Sequence, residues 1–250
     1  MFTNNLNPIA FSFGIISIHW YGIMYVLGLL FTYWFAKRAI KQNRLELTED
    51  QLESILVWAV AGMILGARLF EVLFWEPAYF FSHPLEILKF WNGGLSFHGG
   101  MLGALTSAFL WCRKNNKKFL SLIEVFLVPI ALGFSFGRIG NFFNSELYGK
   151  ITTLPWGVYF QNAEGARHPT QLYEALYGAA IFSILYLIYK KKPSAGKILG
   201  WFLILFAVFR TLTEFLRVGE PALFWLTYAQ WFNIPMLLIG LWLLLRKLSR

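Results

Sequence analysis

One cysteine, Cys112, in 250 residues leaves no partner for an intrachain disulfide and no multi-cysteine metal site, so helix packing has to hold the fold. Charge is scarce as well. Only 14% of the residues are charged against 57% hydrophobic, and a mean hydropathy of +0.53 leaves too few polar groups to cover a water-soluble globule of this size. A soluble enzyme, a disordered chain and a fibrous repeat are excluded on that ground. Acidic residues are the scarcer sign: 13 Asp and Glu stand against 22 Lys and Arg, a formal net charge of +9. In a soluble domain that excess would point to nucleic acid; here the cations sit in short segments between apolar runs, and no nucleic-acid partner is expected. The four histidines lie in separate segments with no pair at helical spacing, and no phosphate loop or dinucleotide fingerprint occurs, so neither metal nor soluble cofactor is expected. Met1 to Phe13 has no Lys or Arg ahead of its first apolar run, unlike a cleaved signal peptide, and the whole chain is expected to be mature.

What the chain has instead is apolar length and aromatic rings: 11 Trp, 11 Tyr and 26 Phe. A membrane helix needs about 20 apolar residues to cross a hydrocarbon core of about 30 Å. Seven windows meet this, near Ile15 to Ala36, Leu52 to Trp75, Leu95 to Trp111, Phe119 to Ile139, Thr170 to Tyr189, Ile198 to Leu216 and Leu226 to Leu245. Fifteen of the 22 cations fall on one side of these windows: Lys37, Arg38, Lys41 and Arg44; Arg113, Lys114, Lys117 and Lys118; Lys190, Lys191, Lys192 and Lys197; Arg246, Lys247 and Arg250. The positive-inside rule makes that side cytoplasmic, which puts the N-terminus outside and the C-terminus inside, as seven crossings require. The expected architecture is therefore an all-α polytopic membrane protein in a single domain, residues 1–250. The long connection 140–169, rich in Gly, Pro and Asn, is read as a small extracytoplasmic cap.

Seven cations remain, and none belongs to a cytoplasmic loop: Arg68, Lys89, Arg138, Lys150, Arg167, Arg210 and Arg217. Counted from the cytoplasmic ends, Arg68 and Arg210 fall in the outer half of the core and Arg138 and Arg217 at its outer boundary. His19, Glu71, His98, Glu146, His168, Glu174 and Glu214 map to the same region. An ionisable group in lipid costs about 2.5 kcal/mol or more, so such residues face a polar cavity or each other. Arg210, Glu214 and Arg217 stand at i, i+4 and i+7 on one helix face, and Arg68 and Glu71 at i, i+3 on another. Structural ion pairs and snorkelling anchors would account for any one of these arginines. For Arg138 with Arg210 the carboxylates are too few to neutralise every cation, and surplus guanidinium beneath a cap suits an anionic headgroup such as a lipid phosphate.

The string GRIGNFFNSELYG, Gly137 to Gly149, carries Arg138 between two glycines, Asn141 and Asn144 one turn apart, and Glu146 where helix gives way to loop. It resembles the signature of the prolipoprotein diacylglyceryl transferases. The same order of landmarks runs through nearly the whole chain: HWYG at 19–22, GARLFEVLF at 66–74, GGLSFHGG at 93–100, RHPTQLYEA at 167–175, FRTLTEFLR at 209–217 and AQWFNIP at 229–235. Glu71 and Phe206 stand where the family often has tyrosine, and Val218 to Pro221 departs from the usual run.

The resemblance implies a bacterial cytoplasmic (inner) membrane enzyme of lipoprotein maturation, its site open to the outer leaflet. It would move the diacylglyceryl group of phosphatidylglycerol onto the lipobox cysteine thiol of a prolipoprotein signal peptide, forming a thioether and releasing glycerol phosphate. Its partners would be those two substrates and membrane lipid, and phosphatidylglycerol is itself the group donor, so no cofactor is implied. Arg138 and Arg210 are the candidates for stabilising the departing phosphate, and Arg138 is also assigned to binding the headgroup, its planar side chain forking onto the phosphate of phosphatidylglycerol. His98, near the outer end of the third window, is the candidate for removing the thiol proton, with a water held by Glu146 as the other choice. Tyr21, Asn141, Glu146, Glu214 and Arg217 are assigned to orienting the headgroup and the arginines. Because the nucleophile belongs to the substrate, Cys112 is read as a small buried hydrophobe. His168 is read as a helix cap, and His83 as a loop residue without chemistry. A secondary transporter for an anionic amphiphile is the reading from another class, since membrane arginines also line transport paths. It would need polar groups on both halves of the bilayer, and within the helices the inner half offers only Glu124.

Overall fold

The computed structural model describes residues 1–14, 16–90, 93–219 and 222–246. Ile15 at the start of the first window, Lys247 and Arg250 of the cytoplasmic cluster, and Glu220 and Pro221 of the departing segment lie outside the described residues.

The chain is mostly helical. It opens with strands β1 (Phe2–Asn4), β2 (Ile9–Phe13) and β3 (Ile16–His19), continues through helices α1 (Trp20–Lys41), α2 (Glu49–Phe70), α3 (Pro77–Ser82), α4 (Phe97–Lys114) and α5 (Phe119–Phe143), and enters the cap with strands β4 (Val158–Phe160) and β5 (Ala166–Arg167). Helices α6 (Thr170–Lys190) and α7 (Lys197–Glu214), the short strands β6 (Ala222–Leu223) and β7 (Leu226–Thr227), and α8 (Tyr228–Leu245) follow. Among the described residues, five helices are long and apolar enough to cross a membrane: Trp20–Lys41, Glu49–Trp75, Phe119–Phe143, Thr170–Lys190 and Tyr228–Leu245. The third and sixth windows are also helices, α4 and α7, each of 18 residues. Both are interrupted by polar groups: α4 carries His98 and ends in Arg113 and Lys114, and α7 holds Lys197, Arg210 and Glu214.

The first helix starts later than its apolar window suggests. Ile9–Phe13 and Ile16–His19 alternate apolar with small or polar residues and form an antiparallel hairpin around Gly14, which has φ +57°. His19, placed by composition inside a membrane helix, thus ends a strand. A window that counts only apolar residues does not see this period of two.

Local chemistry sets several other boundaries. Thr48 and Gln51 form a capping box at the start of α2, and Thr227 and Gln230 do the same for α8. The expected cap at His168 is not made: Pro169 occupies the position before α6 without a side-chain bond, and His168 Nδ1 lies 3.2 Å from Tyr173 OH instead. Helix α7 begins after Gly196, which has no side chain to cap it, and the buried Glu124 supplies the missing acceptor. Its Oε1 takes the N–H groups of Ile198 at 2.9 Å and Leu199 at 3.3 Å.

The chain divides into two compact units, Met1–Ala36 with Ile123–Arg250, and Lys37–Leu122. In the smaller unit α2 and α4 pack closely through small residues. A Cβ added at Gly66 would run into Gly99 O, and one at Gly103 into Gly62 O, so the glycines are what let these two backbones approach. Arg68, 8% exposed, belongs to this unit. It was expected beside Glu71, but its donors go to main-chain carbonyls: Nε to Ile87 at 2.9 Å, Nη1 to Gly93 and Gly94 at 2.8 and 2.9 Å, and Nη2 to Glu86. A loop of free carbonyls on the way back from α3 needs donors where no strand supplies them, and a five-donor side chain meets that need. Cys112 is buried at 1% exposure, as its apolar reading expects.

The larger unit carries the cap. Strand β1 runs parallel to β4, and β5 antiparallel to it. Asn4, fully buried, ties this sheet to the end of α5 by donating from Nδ2 to Phe142 O at 2.8 Å.

Candidate active site

Glu174 sits on the second turn of α6 with no exposure to solvent, and three arginines from other stretches of the larger unit converge on it. Arg138, near the end of α5, brings Nε to 2.6 Å from Glu174 Oε2. Arg210, one turn before the end of α7, donates through Nη1 to Glu174 Oε1 at 3.1 Å, and Arg217, just beyond α7, donates through Nη1 to the same oxygen at 3.3 Å. Glu214 is the second buried carboxylate, with Oε2 2.7 Å from Arg210 Nη1 and 3.7 Å from Arg217 Nε. Three guanidinium groups therefore share two buried carboxylates. The i, i+4, i+7 spacing of α7 does bring Arg210, Glu214 and Arg217 together. The residue that joins Arg138 to them is Glu174, whose burial without paired cations would be prohibitive. Sequence alone places Glu174 in the outer region without a role in the site; its signal is the RHPTQLYEA motif, where it stands four residues after the helix start.

A second branch leaves Arg138 in the other direction. Its Nη1 donates to Asn141 Oδ1 at 3.3 Å, Asn141 Nδ2 donates to Glu146 Oε1 at 2.7 Å, and Asn144 Nδ2 reaches the same oxygen at 3.2 Å. The guanidinium lies 4.8 Å from the centre of the Phe134 ring. Glu146 is flanked by two non-glycine residues in left-handed conformation, Ser145 at φ 54° and Leu147 at φ 57°. Such backbone costs on the order of 1 kcal/mol or more per residue and persists only where neighbours impose it. Here Gln171 Nε2 donates to Glu146 O at 2.5 Å and Thr170 Oγ1 to Leu147 O at 2.8 Å, so the start of α6 holds the bend. The cap also fixes Arg217: Gly149 bridges it in antiparallel fashion, and Lys150 N donates to Leu216 O at 2.7 Å.

Tyr21, on the first turn of α1, packs its ring on Gly140, where an added Cβ would come within 2.9 Å of it, and its hydroxyl donates to Tyr25 OH at 3.1 Å. Of the expected site residues, Tyr21, Arg138, Asn141, Glu146, Arg210, Glu214 and Arg217 all belong to the larger unit. His98 belongs to the smaller one, exposed on the first turn of α4 beside Phe97. His83 stacks on Tyr79 in the same unit.

The guanidinium edges decide what the cluster can do. Arg138 spends Nε on Glu174 and part of Nη1 on Asn141. Arg210 spends Nη1 alone, so its side-on edge, Nε with Nη2, has no protein partner among the described residues. That edge is the one that grips two oxygens of a phosphate or carboxylate at once. The bidentate donor expected at Arg138 is thus open at Arg210, with Nη2 of Arg138 as a further donor. An anion with two or more oxygens matches this array and neutralises its surplus charge.

A family model described as prolipoprotein diacylglyceryl transferase matches residues 8–246. Among curated relatives, the phosphatidylglycerol--prolipoprotein diacylglyceryl transferase of Legionella pneumophila (strain Corby) is 41% identical over 246 residues, 96% of this chain and 96% of the relative. The proteins of the same name from Nitratidesulfovibrio vulgaris (strain DSM 19637 / Miyazaki F) and Rickettsia canadensis (strain McKiel) are 40% and 41% identical. They cover 97% and 94% of this chain, and the matches span 94% and 95% of those relatives.

Proposed function

We propose, on the premise that the chain belongs to the prolipoprotein diacylglyceryl transferase family, that it transfers the diacylglyceryl group of phosphatidylglycerol to the lipobox cysteine thiol of a prolipoprotein, the first step of lipoprotein maturation. The observation that carries this reading to particular atoms is the arginine cluster: three guanidinium groups on two buried carboxylates, with the side-on edge of Arg210 unspent.

In the reaction the substrate's thiolate attacks the glycerol carbon that bears the phosphate. A C–S bond forms as the C–O bond breaks, and the electron pair leaves on the phosphate oxygen of glycerol phosphate. Charge grows on that oxygen in the transition state, and cations already fixed in place stabilise it without reorganising. Arg210 takes the phosphate in bidentate fashion and Arg138 adds Nη2. Glu174, Glu214 and Arg217 position these two side chains, and Tyr21, Asn141 and Glu146 orient the headgroup. The thiol proton goes to His98, with a water held by Glu146 as the competing acceptor; the pH profiles of His98→Gln and Glu146→Gln separate the two.

The chain works as one membrane domain. The five long apolar helices are joined by α4 and α7 as the remaining crossings, the N-terminus outside and the C-terminus inside, and the cap and arginine cluster lie on the outer face of the bacterial cytoplasmic membrane. Two polar residues interrupt α7 because they serve the site. A transporter would need polar lining on the cytoplasmic half, and there Glu124 commits Oε1 to the N-terminus of α7.

The test is direct. Purified protein in detergent, given phosphatidylglycerol and a lipobox peptide, adds the mass of one diacylglyceryl group to the peptide. No mass gain with folded protein and both substrates present refutes the assignment.

A further inference from the structure

One helical turn from the charged cluster, on the side away from the cap, two hydroxyl groups have no partner. Ser135 precedes Arg138 by three residues on α5, and Tyr177 follows Glu174 by three on α6, so each lies about 4.5 Å along its helix from its charged neighbour and on the same face. Both side chains are buried, at 3% and 5% exposure, and neither Ser135 Oγ nor Tyr177 OH has a hydrogen-bond partner among the described residues. The two helices meet at this level: Gly178, next to Tyr177, leaves the space into which Ser135 Oγ projects. Tyr177 is held between Phe134, 5.6 Å away and stacked, and Phe209, 5.5 Å away and stacked nearly parallel at 6°, which fixes the plane of its ring. Its charged neighbours are Glu174, Arg138, Arg210 and Arg217. Hydroxyls buried without partners are rare because desolvation is costly, and two of them in one layer call for an acceptor that the protein does not supply.

We infer that Ser135 and Tyr177 form a subsite for the ester carbonyls of the lipid's diacylglycerol portion. The inference rests on the proposed function above and adds to it the part of the substrate that the arginines do not read. Phosphatidylglycerol is layered, with the phosphate first, the two ester groups a few bonds further in, and the acyl chains beyond. The larger unit has the same order along α5 and α6: charged residues at Arg138 and Glu174, hydroxyls at Ser135 and Tyr177, then apolar Ala131 and Ile181, both buried. An ester carbonyl accepts and never donates, and a neutral O–H is its natural partner, whereas the phosphate is met by the guanidinium layer. The lipid displaces the side chains that cover the two hydroxyls, and the hydrogen bonds it offers to groups otherwise unpaired favour that exchange. The consequence is a preference for ester-linked over ether-linked lipid, because the ether lacks the carbonyl oxygen.

The experiment compares phosphatidylglycerol with its dialkyl ether analogue as donor, using purified wild type, Tyr177→Phe, Ser135→Ala and the double variant with one lipobox peptide. Tyr177→Phe keeps the stacked ring, so packing is retained. Wild type is expected to favour the ester lipid by about tenfold in kcat/KM. Each single variant loses about threefold with the ester lipid and stays within about twofold of wild type with the ether, and the double variant no longer distinguishes them. A wild-type ratio near one, or variants that lower both lipids alike or neither, overturns the subsite. If wild type transfers from neither lipid the proposed function itself fails; if it transfers from the ester lipid and the variants leave its preference unchanged, only this inference does.

Discussion

Glu174→Gln keeps the shape of the side chain and removes the charge on which three arginines converge. The loss is unequal among them. Arg210 and Arg217 retain Glu214, at 2.7 and 3.7 Å, whereas Arg138 is left with Asn141, a neutral partner at 3.3 Å. Removing one member of a buried pair costs about 3 to 5 kcal/mol because the remaining charge is uncompensated, and Arg138 is the residue that bears it. At about 2 to 4 °C per kcal/mol for a chain of this length, an apparent melting temperature about 6 to 20 °C lower is expected. Activity per folded molecule falls further. A guanidinium no longer held against Glu174 must be ordered during the reaction, and a missing preorganised donor costs on the order of a hundredfold in kcat. A gain of positive charge opposes this by attracting the phosphate, so KM for phosphatidylglycerol holds or falls while kcat drops. Glu174→Asp keeps the charge and recovers part of both effects. The assay is lipid transfer normalised to folded protein, with melting followed in the same detergent. A normalised kcat within about fivefold of wild type, together with an unchanged melting temperature, would refute the view that Glu174 organises the site.

Other substitutions separate the arginines and test the topology. Arg210→Lys retains the charge and loses the side-on fork, so transfer falls on the order of a hundredfold or more; Arg138→Lys falls less, and steady-state kinetics with phosphatidylglycerol that rank the two in the opposite order would reject the assignment of the fork. Arg68→Ala releases the carbonyls of residues 86, 87, 93 and 94, so the amount of folded protein recovered drops while the rate per folded molecule stays near wild type. Cys112→Ser leaves transfer near wild type, because the attacking sulfur comes from the peptide; loss of activity in well-folded protein would mean a covalent enzyme intermediate. Reporter fusions after Lys118 and Lys192 read cytoplasmic and one within 140–169 reads external, and opposite readings at any two of these sites contradict the seven-span arrangement.

Composition and order alone determined much of this protein. Apolar length marks the seven long helices among the described residues, five of which are long and apolar enough to cross a membrane, because the requirement a bilayer imposes on a crossing is met by local residues. The spacing of Arg210, Glu214 and Arg217 is a property of a single helix, so their shared face is readable before any packing is known. The GRIGNFFNSELYG string points to the family for a similar reason: its chemistry is concentrated in consecutive residues. The hairpin before α1 was legible too, in the alternation of Ile9–Phe13 and Ile16–His19, but a count of apolar residues conceals it.

Only the tertiary structure decided which charges meet. Nothing in the spacing of Arg138, Glu174 and Arg210, which lie 36 residues apart in each step, says that one carboxylate gathers arginines from separate elements; that follows from how α5, α6 and α7 pack. The same packing brings Nε of Arg138 against Glu174 and leaves the side-on edge of Arg210 without a protein partner among the described residues, which is why the proposed function gives Arg210 the phosphate fork. Arg68 turned from α2 to the carbonyls of residues 86, 87, 93 and 94 instead of the nearby Glu71, because backbone carbonyls without a strand partner compete for donors as a carboxylate does. Ser135 and Tyr177 carry no sequence signal at all. A serine and a tyrosine in apolar helices pass as ordinary packing until both hydroxyls are found buried without partners among the described residues, one turn from the arginines.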